Sequence, residues 1–178
     1  MENKKLNPTA ASLLGFLHDG PMTGWELAAV ADQKIGAFWN LTRSQVYREI
    51  HFLEGMGLII VGERELRDKR QLTLTDKGRR VFQVWLLNEP DEEIIRFPLL
   101  LSASFADYLP AGCIQEFVRV HMPAHQKQLA EYKKGYIDAL KAGRNETSGE
   151  CLTYSFGIRY EEMVLGWMED VLTMEPAK

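Results

Sequence analysis

The stretch Thr42-Arg-Ser-Gln-Val-Tyr-Arg-Glu-Ile-His-Phe-Leu-Glu-Gly-Met-Gly-Leu58 decides the fold. Thr42 and Gln45 form a T-x-x-Q capping box, so a helix starts at Arg43. It runs to about Met56, where Gly57 is a natural stop. At about 100° per residue, Val46, Ile50, Leu53 and Met56 fall on one third of the circumference. Arg43 borders the opposite arc, which holds Ser44, Tyr47, Arg48 and His51. Up to His51 that arc contains donors and no acid; Glu49 falls on the apolar side. A helix with one packed face and one acid-poor donor face suits a DNA groove, whose phosphates repel carboxylates.

Working outward toward the N-terminus, two more helices are predicted. Asn7-Pro8 caps and opens the first, which carries Leu13, Leu14 and Leu17 at helical spacing. Gly20-Pro21 ends it. Thr23 and Glu26 form a second capping box, and the helix behind them reaches about Lys34 with Leu27, Val30 and Ala31 inside. Toward the C-terminus, the β-branched run Leu58-Ile-Ile-Val61 and the alternating Gln71-Leu-Thr-Leu74 predict a hairpin. Its tip carries Arg67, Lys69 and Arg70. Thr75-Asp76 caps a fourth helix with Val81, Phe82, Trp85 and Leu86. Three helices followed by a basic hairpin are the order of a winged helix-turn-helix, with the third helix entering the major groove.

The charge distribution agrees. The 178 residues carry a net charge of −4, but residues 1–87 hold 12 Lys and Arg against 10 Asp and Glu, and residues 88–178 hold 9 against 15. The first half is weakly basic and the second acidic, which keeps the second from competing for DNA. Composition is that of an ordinary globular chain, 46% hydrophobic and 26% charged. Cys113 and Cys151 make neither a disulfide framework nor a zinc cluster. No apolar run is long enough for a membrane span, and MENKKLNPTAA lacks the apolar core of a secretory signal. A cytoplasmic protein without membrane contact is therefore expected. The sequon Asn145-Glu-Thr147 has no meaning in that compartment.

The polar stretch 88–93, with Pro90, reads as the junction between halves. The second half is predicted helical. A long helix opens at Pro110 and runs to about Ala142, and Pro123 should kink or break it. Another spans about Cys151 to Met174 and lies antiparallel to the first. The stripes Val118, Leu129, Tyr136 and Phe156, Tyr160, Met163, Trp167 offer more apolar surface than one helical hairpin covers, so a homodimer is expected. His121 and His125 have zinc-compatible spacing, but no third ligand is near in sequence and Pro123 lies between them, so no metal is expected. Neither a phosphate loop nor a nucleophile elbow is present, and no catalytic residue or cofactor is assigned.

Several segments together resemble PadR-type regulators. Gly20-Pro-Met-Thr-Gly-Trp-Glu-Leu27 is similar to their G-P-x-x-G-Y-x-L segment. Ser44-Gln-Val-Tyr-Arg-Glu-Ile50, with Leu53 and Gly57-Leu58, resembles their recognition helix. Leu74-Thr-Asp-Lys-Gly78 matches L-T-x-x-G after the wing. Ile35-Gly-Ala-Phe-Trp39 most resembles the virulence-activator branch. One departure is the lack of G-x-P before the basic tip. The resemblance implies a homodimer on double-stranded operator DNA, with repression or activation of nearby genes and in some members a small phenolic or hydrophobic effector.

The expectation is therefore a mainly α chain with a small β-wing. Residues 1–87 form the winged helix-turn-helix and 88–178 a helical dimerisation and effector region. Thr42, Arg43, Ser44, Gln45, Tyr47 and Arg48 face the groove, and Arg67, Lys69 and Arg70 grip phosphate. Trp25, Trp39, Trp85, Phe97 and Phe105 are candidate walls of an effector cavity beside the junction; rings of this kind also serve as plain core. A winged-helix module that docks protein instead of DNA is the alternative. Salt separates the two, since only DNA binding weakens steeply as salt rises.

Overall fold

The computed structural model describes residues 6–36, 38–63, 70–90, 92 and 95–175. The chain divides into two compact units, residues 1–92 and 93–178. That division falls a few residues beyond Leu87.

The first unit contains helix α1 (Pro8–Phe16), strand β1 (Met22–Thr23), α2 (Gly24–Ile35), α3 (Arg43–Gly55), strands β2 (Ile59–Val61) and β3 (Gln71–Leu74), and α4 (Asp76–Leu86). All four helices start where a side chain can satisfy the first free amides. Asn7 Oδ1 accepts from Ala10 N at 2.8 Å. Thr23 and Glu26 close one capping box and Thr42 and Gln45 another. Thr75 Oγ1 accepts from Gly78 N at 3.0 Å and donates to the Leu58 carbonyl at 3.0 Å, tying α4 to the root of the hairpin. Gly57 ends α3 with φ of 67°, a left-handed turn that favours glycine.

The sheet is antiparallel in the order β1-β3-β2. Ile59 faces Leu74 and Val61 faces Leu72 across the hairpin, while Met22 pairs with Leu72 from the other side. Strand β1 was not foreseen from sequence. Two residues are too short for an alternating pattern, and Thr23 already carried the stronger signal of a helix cap. Leu13, Leu14, Leu17, Leu27, Leu53 and Leu58 are fully buried in one core with Val46, Ile59 and Leu72. Each such leucine contributes about 2 kcal/mol of transfer free energy. Phe82 and Trp85 of α4 stack on one another and cover this core from the side.

The second unit contains α5 (Pro98–Ala103), α6 (Cys113–Lys141) and α7 (Gly149–Thr173). The last two form the expected antiparallel pair. Two expectations change. Helix α6 begins at Cys113 and not at Pro110, because Gly112 stands before it in the left-handed region at φ 82°. Pro123 does not break it: the helix is continuous from Cys113 to Lys141. Pro123 and Arg119, whose carbonyl loses its partner, both lie on the exposed side, where water can replace the missing bond.

The interior of this unit gathers Leu99, Val118, Val164, Leu165, Met168 and Val171, with Leu129, Tyr160 and Trp167 packed against them. Val118 is therefore fully buried in its own unit and offers a partner no surface, contrary to the expectation from sequence. Leu129, Tyr136, Tyr160 and Trp167 are half-buried. Phe156 and Met163, at 67% and 63% exposure, remain open. Tyr132 of α6 lies over Gly157 of α7, and Tyr154 of α7 lies over Gly135 of α6. A Cβ at Gly157 would stand 2.6 Å from Tyr132 Cε2, so these glycines let the two helices approach with a ring in each gap. Among the described residues no group of three possible metal ligands occurs, and no helix is long and apolar enough to cross a membrane.

Candidate nucleic-acid interface

Helix α3 presents two faces, as its periodicity requires. Val46, Ile50 and Leu53 are buried, while Arg43, Ser44, Tyr47, Arg48 and His51 are exposed. The exposed side carries no carboxylate until Glu54, which stands 3.9 Å from His51. The first turn is held by the capping box: Thr42 Oγ1 accepts from Gln45 N at 3.2 Å, and Gln45 Oε1 accepts from Thr42 N at 2.8 Å and Thr42 Oγ1 at 3.0 Å. Gln45 thus spends its acceptor on its own helix, and what it can offer a base is the amide donor. Thr42 is likewise occupied as a cap. Among the described residues, no hydrogen bond or ion pair holds the Arg43 or Ser44 side chain.

Tyr47 is anchored by a close approach. Its ring rests against Gly24 at the start of α2, where an added Cβ would lie 2.8 Å from Tyr47 Cε1. The second glycine of the Gly20–Leu27 segment is thereby explained: it leaves room for the α3 tyrosine against the start of the preceding helix. Arg48 is extended toward solvent, its side chain 70% exposed, with Nε 3.3 Å from Glu49 Oε1.

Of the wing residues, Arg67 and Lys69 lie outside the described residues. Arg70 is exposed at the foot of β3. The aromatic candidates are placed as follows within their units. In the first, Trp85 stacks on Phe82 with centroids 6.3 Å apart, Trp39 Nε1 donates to Thr9 Oγ1 at 3.3 Å, and Trp25 is exposed on α2. In the second, Phe97 meets the rings of His125 and Trp167, each at 6.1 Å, and Phe105 is exposed.

Sequence reasoning missed Glu49 as a functional candidate. This carboxylate is buried, with its side chain 8% exposed, and Asn7 Nδ2 donates to its Oε2 at 2.9 Å. Its signal was visible as an acid on the apolar side of the helix.

Three packed helices, a hairpin paired into a small sheet, and a fourth helix make a winged helix-turn-helix, here followed by a long helical pair. That is the build of a two-unit transcriptional regulator. Residues 13–84 match the family model described as transcriptional regulator PadR-like family, and residues 95–174 match virulence activator alpha C-term. The first half thus carries a PadR-like family domain of transcriptional regulators, and the second half is similar to the C-terminal region of virulence activators. The negative transcriptional regulator PadR of Bacillus subtilis is 25% identical over 175 residues, covering 92% of this chain and 94% of that protein. The crystal structure of Bacillus subtilis PadR in complex with operator DNA superposes with a TM-score of 0.78 at 22% identity, over 94% of this chain and 99% of that one. Its complex with p-coumaric acid gives 0.71 at 25% identity, over 93% and 96%.

Proposed function

We propose that this chain regulates transcription in the cytoplasm as a homodimer, each protomer placing α3 in the major groove of operator DNA. The observation that carries this reading is the outward side of α3, where two arginines, a serine and a tyrosine stand together without an acid. The Bacillus subtilis relative, whose structure holds operator DNA, supports a DNA partner. Arg43 and Arg48 donate to guanine or phosphate, Ser44 and the Gln45 amide serve positions near the helix start, and Thr42 and Tyr47 hold the helix in place for them. Arg67, Lys69 and Arg70 grip the backbone from the hairpin. No catalytic step belongs to this reading.

The homodimer rests on the second unit. Leu152, Phe156 and Met163 form an exposed stripe on α7 at helical spacing, next to the half-buried Tyr160. A second copy of the stripe is a self-complementary cover for it. A phenolic or hydrophobic ligand adds control, in line with the p-coumaric acid bound by the relative. Such a ligand acts through unequal affinity for two arrangements of the dimer.

The test is a fluorescence-anisotropy titration of an operator selected from random duplexes by the full chain. Arg43→Ala and Arg48→Ala should each weaken binding by about 1–3 kcal/mol where the residue contacts a base. Neutralising the three wing cations should flatten the plot of log affinity against log salt, by roughly 0.9 per lost contact. Unchanged operator affinity in both arginine variants would remove α3 from the groove. Binding of the wild-type chain that ignores salt would favour a protein-docking module.

A further inference from the structure

Glu49 joins two parts of the winged unit that sequence treats separately. Its Oε2 accepts from Asn7 Nδ2 at 2.9 Å, and its Oε1 accepts from Arg48 Nε at 3.3 Å. Asn7 is the cap of α1, its Oδ1 already committed to Ala10 N at 2.8 Å. The amide of Asn7 therefore bridges the start of the first helix to a carboxylate on the third. Both of its polar atoms are used, which orients the amide plane. A buried carboxylate is tolerated only when its oxygens are paired, so Glu49 has reason to hold both partners.

The consequence falls on Arg48. A free arginine on a helix surface samples many rotamers and presents its guanidinium to a groove in several ways. With Nε engaged by Glu49, the edge formed by Nε and one terminal nitrogen is occupied. The edge that remains is the pair of terminal nitrogens, spaced to donate together to O6 and N7 of guanine or to two phosphate oxygens. We propose that Glu49, held by Asn7, is a positioning residue that orients Arg48 for end-on recognition and so helps set the base preference of the operator. This rests on the reading that α3 enters the groove. Glu49 itself touches no DNA.

The experiment uses the full chain and the selected operator, with affinity measured by anisotropy for the operator and for an unrelated duplex. Glu49→Gln keeps the volume but leaves one carbonyl oxygen where two served, and removes the charge. Operator affinity should fall by about 5–20-fold, part of what a full bidentate base contact is worth. Affinity for the unrelated duplex should stay level or rise, because a negative charge near the phosphates is gone. Asn7→Ser keeps a good cap for α1 but is too short to reach Glu49, and should lose operator affinity in the same direction by a few-fold. In an Arg48→Ala background, Glu49→Gln should cost nothing further. A structural role alone would weaken both duplexes equally and would persist without Arg48; that result overturns the proposal. So does tighter operator binding by Glu49→Gln, which would mean that the carboxylate withholds Arg48 from DNA. If Arg43→Ala and Arg48→Ala both leave operator affinity unchanged, the groove reading fails along with the proposal; if Arg48→Ala alone does, only the proposal fails. If Arg48→Ala weakens binding and Glu49→Gln does not, only the proposal fails.

Discussion

Gly78→Ala is expected to destabilise the winged unit by about 1–2 kcal/mol, although alanine is the better helix former. Gly78 lies in the first turn of α4, and on propensity alone the change should gain about 1 kcal/mol. Sterics oppose it. A Cβ at Gly78 would press into the Leu58 carbonyl oxygen and stand 2.7 Å from Leu74 Cδ1. The leucine side chain can turn aside, but the carbonyl cannot. It accepts from Thr75 N at 3.1 Å and from Thr75 Oγ1 at 3.0 Å, and these bonds hold the hairpin root against the helix start. Relief requires α4 to lift off Leu58, opening the capping bonds and the Phe82 contact with the core together. Overpacking a fixed site typically costs 1–3 kcal/mol, about enough to reverse the propensity gain and exceed it. The matched control is Gly55→Ala at the end of α3, where nothing lies within 4 Å of an added Cβ. That change should be neutral or stabilising by up to about 1 kcal/mol. The two urea midpoints should move in opposite directions. A midpoint for Gly78→Ala that matches or exceeds the wild type would show that the hairpin root yields easily.

What was legible in the sequence follows from how local each signal is. Capping boxes at Thr23 and Thr42 are complete within four residues, and the structure closes both as read. The faces of α3 follow from a period within one helix. The β2–β3 hairpin was legible because its strands are neighbours in sequence. Strand β1 was not, since its pairing with Leu72 joins segments far apart and its two residues show no pattern of their own. The burial of Val118 was not legible either. Its spacing places it on the same stripe as Leu129, and only the approach of α5 and α7 decides that it faces inward. At the candidate site, the residues exposed on α3 were readable from angle alone. Their orientation was not: Gln45 is turned back onto Thr42, Tyr47 lies against Gly24, and Arg48 meets Glu49, all through contacts that periodicity does not encode. The odd position of Glu49 on an apolar arc was the one sequence clue that a polar partner from elsewhere had to reach it.

His125→Ala is expected to be among the most damaging single changes in the helical unit, at about 3 kcal/mol, while replacing His125 and Glu161 together by apolar residues should cost far less. His125 Nδ1 and Glu161 Oε2 are 2.6 Å apart, with the side chains 22% and 7% exposed. A carboxylate only accepts, so the shared proton belongs to the imidazole nitrogen. The pair joins α6 to α7 within a wall of rings. Phe97 stands against His125, and the Tyr132 and Tyr160 hydroxyls are pushed above their usual titration, first by burial and then by the Glu161 charge. Removing the histidine leaves a buried carboxylate facing apolar groups and two tyrosines that already feel its charge. Stranding one member of a buried pair costs about 3–5 kcal/mol, and the partial exposure of His125 places this case at the lower end. Replacing both members by apolar residues of similar volume is often neutral. The variant His125→Leu with Glu161→Met should therefore recover most of the stability lost in His125→Ala, giving a coupling of about 2 kcal/mol in a double-mutant cycle. The tyrosines supply an independent readout. In any variant without the Glu161 charge, burial alone still raises them, so their ultraviolet titration should begin at lower pH than in the wild type. The stability tied to those raised values is intact below about pH 10 and is lost as pH climbs through the folded-state titration. Full additivity in the cycle would mean that His125 and Glu161 act separately, and an unmoved tyrosine titration would place the Glu161 charge too far from the rings to matter.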